Sequence, residues 1–401
     1  MRFLLSTIGS RGEVQPVVAL AVRLREMGHG AVVCAPPDFR EWAESLGVAY
    51  VPVGPELRGT ARRGAGAVPT AEQRLRMVEG TVTAQFEAVH AASEGCDAVV
   101  AGGALAVAAR SVAERRGIGY AYAAFAPVSL PSAHHAPPVF RMLGQQPAAG
   151  PVDNRALWAE DAERWNSLWG PALNARRAAA GLPPVEDVRG HIFTGAPWLA
   201  ADAALAPWPE PSELEVVRTG AWLLADDRPL TPGLERFLDA GEPPVYFGFG
   251  SGRVPEGLTG LVIDAARALG RRVILSRGWA DLSLVDDAPD CLLTGEVNQQ
   301  ALFPRLAAAV HHGGAGTTTA AAMSGTPQVI APQNFDQFYF ADRVERLGIG
   351  THLRGEPTAG SLTAALHRAL GAEVVGAARA VAGRVRTDGV TVAARRLIGT
   401  R

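Results

Sequence analysis

His311-His312-Gly313-Gly314-Ala315-Gly316-Thr317-Thr318-Thr319 is the stretch from which the rest of the chain can be read. A short apolar run, Ala309-Val310, precedes it, and an alanine-rich helical pattern through Ala320 to Met323 follows. The glycines therefore mark a strand-to-helix turn. Glycine lets a backbone approach a ligand closely, and free N–H groups at a helix start, with the dipole behind them, suit a diphosphate. Threonines in the first turn add hydroxyl donors, and His312 can donate to a phosphate oxygen. Glycine punctuation is common, however, and the same residues also make an ordinary tight turn with a capping threonine.

Downstream, Gly325-Thr326-Pro327-Gln328-Val329-Ile330-Ala331-Pro332 reads as a strand closed by proline. Asn334-Phe335-Asp336-Gln337 follows, then a helix carrying Ala341, Asp342 and Arg343. An Asp-Gln pair beside a phosphate cradle offers acceptors and donors to vicinal sugar hydroxyls. Asp336 also has the place and chemistry of a plain helix N-cap. Upstream, Val245–Phe249, Arg272–Leu275 and Leu292-Leu293 read as strands, with a helix over Leu258–Leu269. Short apolar strands alternating with helices predict a parallel, doubly wound sheet.

The first half repeats the pattern. Strands are predicted at Phe3–Ile8, Ala31–Cys34, Val48–Val53, Asp97–Val100 and Tyr120–Phe125. Pro16 is read as opening a helix that ends at Gly28, and further helices are expected over Phe39–Leu46 and Leu105–Arg116. Arg58–Pro69 lacks periodicity and reads as a surface loop, and Pro127–Pro138 can be neither helix nor central strand. Prolines and acidic residues from Pro207 onward mark a linker. A length of 401 residues fits two domains of roughly 200 residues each. The divisions expected are a first domain over 1–206, a linker over 207–220 and a second domain over 221–380. Residues 381–401 form a C-terminal helix expected to pack back toward the N-terminal domain, within a helical stretch from Val374 to Ile398 that breaks at Gly389.

Composition narrows the function classes. The chain is 48% apolar and 19% charged, with a formal charge of −2, which offers no basic field to a nucleic-acid backbone. All 38 basic residues are arginines, which excludes a lysine Schiff base. Cys34, Cys96 and Cys291 stand far apart with no metal-ligand spacing and are expected to be buried reduced thiols, in keeping with a cytoplasmic enzyme. No window approaches the ~18 apolar residues needed to span a bilayer. No Asp-x-Asp pair is present to hold Mg²⁺ against a diphosphate.

The His311–Thr318 block and the segment Gly325–Val344 resemble the donor-site signature of family 1 glycosyltransferases of the GT-B fold. The likeness is nearest to actinobacterial enzymes that glycosylate glycopeptide and polyketide antibiotics. It extends through Ser10-Arg11-Gly12-Glu13, Leu130-Pro131-Ser132-Ala133-His134-His135, Phe247-Gly248-Phe249-Gly250-Ser251, Ser276-Arg277-Gly278-Trp279 and Gly295-Glu296-Val297-Asn298. The resemblance implies two Rossmann-like domains facing a cleft, the first binding the acceptor and the second the nucleotide-sugar, with no metal and no cofactor, since helix dipole and hydrogen bonds can take the leaving diphosphate's charge. Its donor would be a dTDP- or UDP-sugar and its acceptor a small-molecule aglycone. It implies that Ser251, His312, Gly314, Gly316 and Thr317 contact the diphosphate, with Arg11 as a further neutralising group. Val297 and Trp279 would meet the nucleobase, and Asp336 and Gln337 the donor sugar. Many relatives carry a tryptophan where this chain has Glu296.

Relatives also place a His or Asp base at the position of Glu13, in the loop after the first strand. A carboxylate there is equally explained as a helix N-terminal charge worth ~0.3–1 kcal/mol. His134 and His135 are the competing base candidates, and otherwise acceptor contacts or simple loop residues. Trp158, Trp165 and Trp169 recur on a predicted helix and read as core before acceptor wall. The function expected is inverting transfer of a sugar to an aglycone hydroxyl. A nucleotide-sugar epimerase of the same architecture and a non-catalytic sugar-binding protein are the alternatives. A dinucleotide oxidoreductase fits poorly, since Gly9-x-x-Gly12 lacks the G-x-G-x-x-G spacing.

Overall fold

Along β1 (Arg2–Thr7), Phe3 and Leu5 enter one core and Leu4 another, all three fully buried, so the strand is covered on both faces. After β1 come α1 (Arg11–Glu26), β2 (Gly30–Ala35), β3 (Ala49–Pro52), β4 (Ala98–Gly102) and β5 (Gly119–Ala124). The long helix α2 (Asn154–Ala179) and the two-residue strands β6 (Trp198–Leu199) and β7 (Val217–Arg218) complete this half. Every pair is parallel, in the order β3-β2-β1-β4-β5-β6-β7.

The second half runs β8 (Val245–Gly248), β9 (Val273–Ser276), β10 (Cys291–Thr294), β11 (Ala308–His311), α3 (Ala315–Met323), β12 (Gln328–Ile330), α4 (Gln337–Arg346) and β13 (Gly350–His352). Its sheet is also parallel throughout, in the order β10-β9-β8-β11-β12-β13. The chain closes with α5 (Gly389–Gly399), which packs on α1 and puts Ala393, Ala394 and Leu397 into the core of Phe3 and Leu5. This computed structural model describes residues 1–59, 69–140, 145, 146, 150 and 153–399. Residues 60–68 of the loop expected over Arg58–Pro69 fall outside them.

Strand order reverses between β1 and β4 in one sheet and between β8 and β11 in the other. In such sheets ligands bind beyond the carboxyl ends of the strands at that reversal. Glu13, expected in the loop after β1, lies in the first turn of α1; the loops after β8 and β11 carry Ser251 and His312, and the loop after β12, beside β11, carries Asp336. Links between the halves support the cleft: Arg343 Nε donates to Leu205 O at 2.8 Å, and Arg386 N donates to Asp202 Oδ2 at 2.9 Å.

Several boundaries differ from the sequence expectation for local reasons. Helix α1 begins at Arg11 rather than Pro16, because Ser10 and Glu13 form a capping box that starts the helix ahead of the proline. The helix expected from Leu105 begins at Ala109, because Gln85 bonds Leu105 O at 2.6 Å and Ala108 N at 3.0 Å, taking backbone groups a first turn would use. Gly389 opens α5 rather than interrupting a helix. Its Cα lies against Gly220, where a Cβ would strike backbone. Strand β7 lies inside the segment read as linker. Trp158, Trp165 and Trp169 are core residues, with Trp165 stacked on Trp169 at 5.7 Å. The three cysteines are buried and unpaired. Among the described residues no helix is long and apolar enough to cross a membrane.

Candidate functional site

The two histidines where β11 ends have different jobs. His311 is fully buried, and its Nδ1 accepts from Gly313 N at 3.1 Å. Its Nε2 therefore carries the proton and donates to Gln328 Oε1 at 3.0 Å. Burial holds this imidazole down to about 3, so it stays neutral and fixes the turn. Gly313 sits at φ +89°, with Ile330 Cγ2 2.6 Å from where a Cβ would stand, so only glycine fits.

His312 faces the other way. Its Nε2 lies 2.6 Å from where a Cβ on Gly314 would be, and its ring borders Gly250 and Gly252. Its Nδ1 is buried with no partner, and burial lowers the imidazole to about 4. A buried polar atom left unpaired costs about 1–3 kcal/mol, while Nε2 is the ring nitrogen that lies against the N-cap of the next helix. Helix α3 starts under the same ring with Gly314 as N-cap, no side-chain cap and no acid in its first turn. Its leading N–H groups are thus open to an anion. Thr318 and Thr319 turn their hydroxyls onto Gly314 O and Ala315 O, at 3.0 and 2.7 Å. Thr317 alone of the three has no intramolecular partner among the described residues. Gly316 opens onto empty space.

At the start of α4, Asp336 is the N-cap residue but makes no side-chain cap bond, so its carboxylate is not spent on the helix. Burial, with the nearby negative Glu13 second, pushes it up to about 7. Gln337 is less versatile than its type implies. Its Oε1 accepts from Gln333 N at 2.8 Å and Asn334 N at 3.1 Å, leaving only its amide N–H groups to offer.

Across the cleft, Glu13 Oε2 accepts from Ser10 N and Ser10 Oγ, both at 2.8 Å, which completes the capping box. Its side chain lies over two glycines: a Cβ on Gly9 would sit 2.7 Å from its carboxyl carbon, and one on Gly103 would sit 3.2 Å from its Cγ. Burial raises its pKa, and the bonds from Ser10 only partly oppose this. Glu13 is therefore both a helix-start group and a recessed carboxylate within electrostatic reach of Asp336.

Four expected site residues have other partners. Arg11 donates from NH2 to Glu296 Oε1 at 2.8 Å and from Nε to Gln15 at 2.8 Å, with its guanidinium 3.5 Å above the Trp42 ring. Its charge is thus matched by Glu296, while its backbone N donates to Ser251 Oγ at 3.3 Å. Trp279 stacks on Phe39 of the first half at 5.4 Å, so one indole face is covered by protein. His134 Nε2 meets Pro211 O at 2.9 Å and His135 Nε2 meets Leu130 O at 3.0 Å. His135 is further packed edge-on to Trp158 and Trp208, and burial lowers its pKa. Both imidazoles hold the proline-rich loop in shape. Val297 follows β10 in the loop above the second sheet, half-buried.

Sequence reasoning missed Gln328 and Gly103. Gln328 carried a visible signal, a polar residue inside an otherwise apolar strand. Gly103 had none, since its role depends on β4 lying beside β1. Among the described residues, Asp342, Glu345 and His352 form a trio with metal-ligand chemistry. It is internally paired, Asp342 with His352 at 3.2 Å and Glu345 with Arg354 at 2.5 Å.

Comparison with known proteins gives concordant matches. Residues 3–134 match the glycosyltransferase family 28 N-terminal domain. Residues 260–394 match the C-terminal domain of erythromycin biosynthesis protein CIII-like proteins. The chain is 51% identical to a vancomycin aglycone glucosyltransferase of Amycolatopsis orientalis, covering 99% of this chain and 97% of that protein. It is 47% identical to a dTDP-epi-vancosaminyltransferase of the same organism, covering 93% and 91%. Among solved structures, the glycotransferase of kitacinnamycin superposes with a TM-score of 0.74 at 20% identity, over 99% of this chain and 98% of that one.

Proposed function

The chain belongs to the GT-B glycosyltransferases of antibiotic biosynthesis, and from that premise we propose that it transfers one sugar, with inversion, from a dTDP- or UDP-sugar to a hydroxyl of a glycopeptide-type aglycone. The observation that carries the donor half is the uncapped start of α3, with the His312 ring set against its N-cap Gly314. A diphosphate takes up those open N–H groups beside the imidazole. On this reading Ser251, His312, Gly314, Gly316 and Thr317 hold the diphosphate, the backbone at Val297 meets the base, and Asp336 and Gln337 hold the sugar. Asp336 accepts from sugar hydroxyls, and Gln337 donates.

Glu13 is the group assigned to take the acceptor proton. The freed oxygen attacks the anomeric carbon as the bond to the diphosphate oxygen breaks, in one displacement that inverts the centre. The leaving charge passes to His312 and the N–H groups of α3, so no metal is required. The names of the relatives favour a glycopeptide aglycone and a dTDP donor.

The test is to incubate the purified chain, in excess EDTA, with dTDP-glucose or UDP-glucose and vancomycin aglycone. A product heavier by one hexose, carrying a β linkage from the α-configured donor, is expected. An α-linked product would remove the inverting mechanism, and no product with either donor would remove the proposed acceptor.

Two glycines separate binding from folding. Gly316→Ala is expected to keep the melting temperature, because nothing lies where its Cβ would go. It should weaken dTDP binding by about tenfold through crowding of the phosphate, or about 1.4 kcal/mol. Gly313→Ala, strained and against Ile330, is expected to lower stability by about 2 kcal/mol or more, seen in thermal melts without any ligand. Equal effects of the two substitutions on melting would contradict this.

A further inference from the structure

Phe335 stands at φ +50°, a left-handed conformation that it shares among non-glycine described residues only with Thr194 and Asp281. It is the first central residue of a turn closed by Gln337 N donating to Asn334 O at 3.1 Å. A positive φ at that position is ordinarily glycine's. A bulky side chain there costs about 1–2 kcal/mol. The residue is also 37% exposed, so complete burial does not offset that cost.

The contact it does make crosses the cleft. Its ring lies 4.8 Å from that of Phe140, tilted by 52°. Phe140 is buried, stands edge-on to Trp165 at 6.2 Å, and Trp165 stacks on Trp169 inside the core beneath α2. Phe140 N is also fixed by Gln145 Oε1 at 2.8 Å. A continuous line of four aromatic rings thus runs from the first half's core to the residue immediately before Asp336. Nothing in Asp336 or Gln337 requires a phenylalanine ahead of them. Glycine would make the same turn with less strain.

We propose that Phe335 is a positioning residue: by docking on Phe140 it holds the Asp336–Gln337 backbone in register with the acceptor side. Donor sugar and acceptor hydroxyl then meet in one geometry. This rests on the assignment of Asp336 and Gln337 to the donor sugar. Strain is retained at Phe335 because alignment of two halves, rather than stability, is what the ring supplies.

The experiment compares Phe335→Gly, Phe335→Tyr, Phe140→Leu and the Gly/Leu double variant. Readouts are dTDP affinity, melting temperature, and turnover of dTDP-glucose and UDP-glucose with vancomycin aglycone; hydrolysis of the same donors without acceptor is the readout that does not depend on the aglycone. In Phe335→Gly, the melting temperature is expected to hold or rise, dTDP affinity and donor KM to stay unchanged, and kcat to fall about tenfold through misalignment. Phe335→Tyr should keep wild-type turnover, and the double variant should be no slower than the slower single one. Wild-type kcat in Phe335→Gly, or effects that multiply in the double variant, would overturn the proposal. Failure of the unaltered protein to bind dTDP would overturn the donor-site assignment and this inference with it, a result separable from a Phe335→Gly variant that binds dTDP and turns over normally.

Discussion

His312→Ala is expected to weaken dTDP and UDP binding by about 10- to 100-fold, the equivalent of one charge-assisted hydrogen bond of about 1.5–3 kcal/mol. Calorimetry on the two proteins measures it. Stability should not fall in parallel, because the free protein already leaves His312 Nδ1 buried and unpaired. Removing that atom removes an unmet demand as well as a ring. pH gives a second signature. Burial holds the free imidazole at about 4, and a diphosphate against it favours the charged form. Binding therefore takes up a proton, and the affinity contribution of this group grows as pH falls through the bound-state pKa toward 4. His312→Ala should flatten that rise. Unchanged affinity in the variant would place the diphosphate elsewhere, whatever the family membership.

Legibility followed the range of the interactions. The β-α alternation is local, so the parallel strands and the glycine turn after β11 could be read directly from apolar runs and punctuation. Strands β6, β7 and β13 are two or three residues long, too short to show a period. The start of α1 was written in Ser10-x-x-Glu13, but Pro16 looked like the stronger signal. Capping geometry decided the start. Among site residues, His312 and Asp336 sit where local order puts them. Arg11 could not be judged from sequence, because its partner Glu296 lies in the loop after β10, in the other half. The same holds for Trp279 with Phe39 and for Phe335 with Phe140. Each is a contact between distant segments that no local pattern encodes.

Glu13 offers the sharpest separation of structure from chemistry. Glutamine also serves at the third helical position of a capping box, so Glu13→Gln keeps the start of α1 while abolishing the base. If the carboxylate deprotonates the acceptor, kcat is expected to fall by about 10²–10⁴ while dTDP affinity stays unchanged. Burial raises the Glu13 pKa above the usual carboxylate range. The wild-type rate should therefore climb with pH as that group ionises, over a range higher than an exposed glutamate would give, and Glu13→Gln should lose this acid limb. Full turnover in Glu13→Gln would leave the residue with its capping role alone. His134 and His135 would return as candidates, since a ring that donates one N–H to a carbonyl keeps its other nitrogen as a base. Asp336 would be the first group to examine. It is the other carboxylate in the cleft, free of any capping bond and pushed to about 7, where a carboxylate can exchange protons near neutral pH. Asp336→Asn measured beside Glu13→Gln decides between them: the base is the one whose loss removes the acid limb, while loss of a sugar contact changes donor affinity and leaves the limb in place.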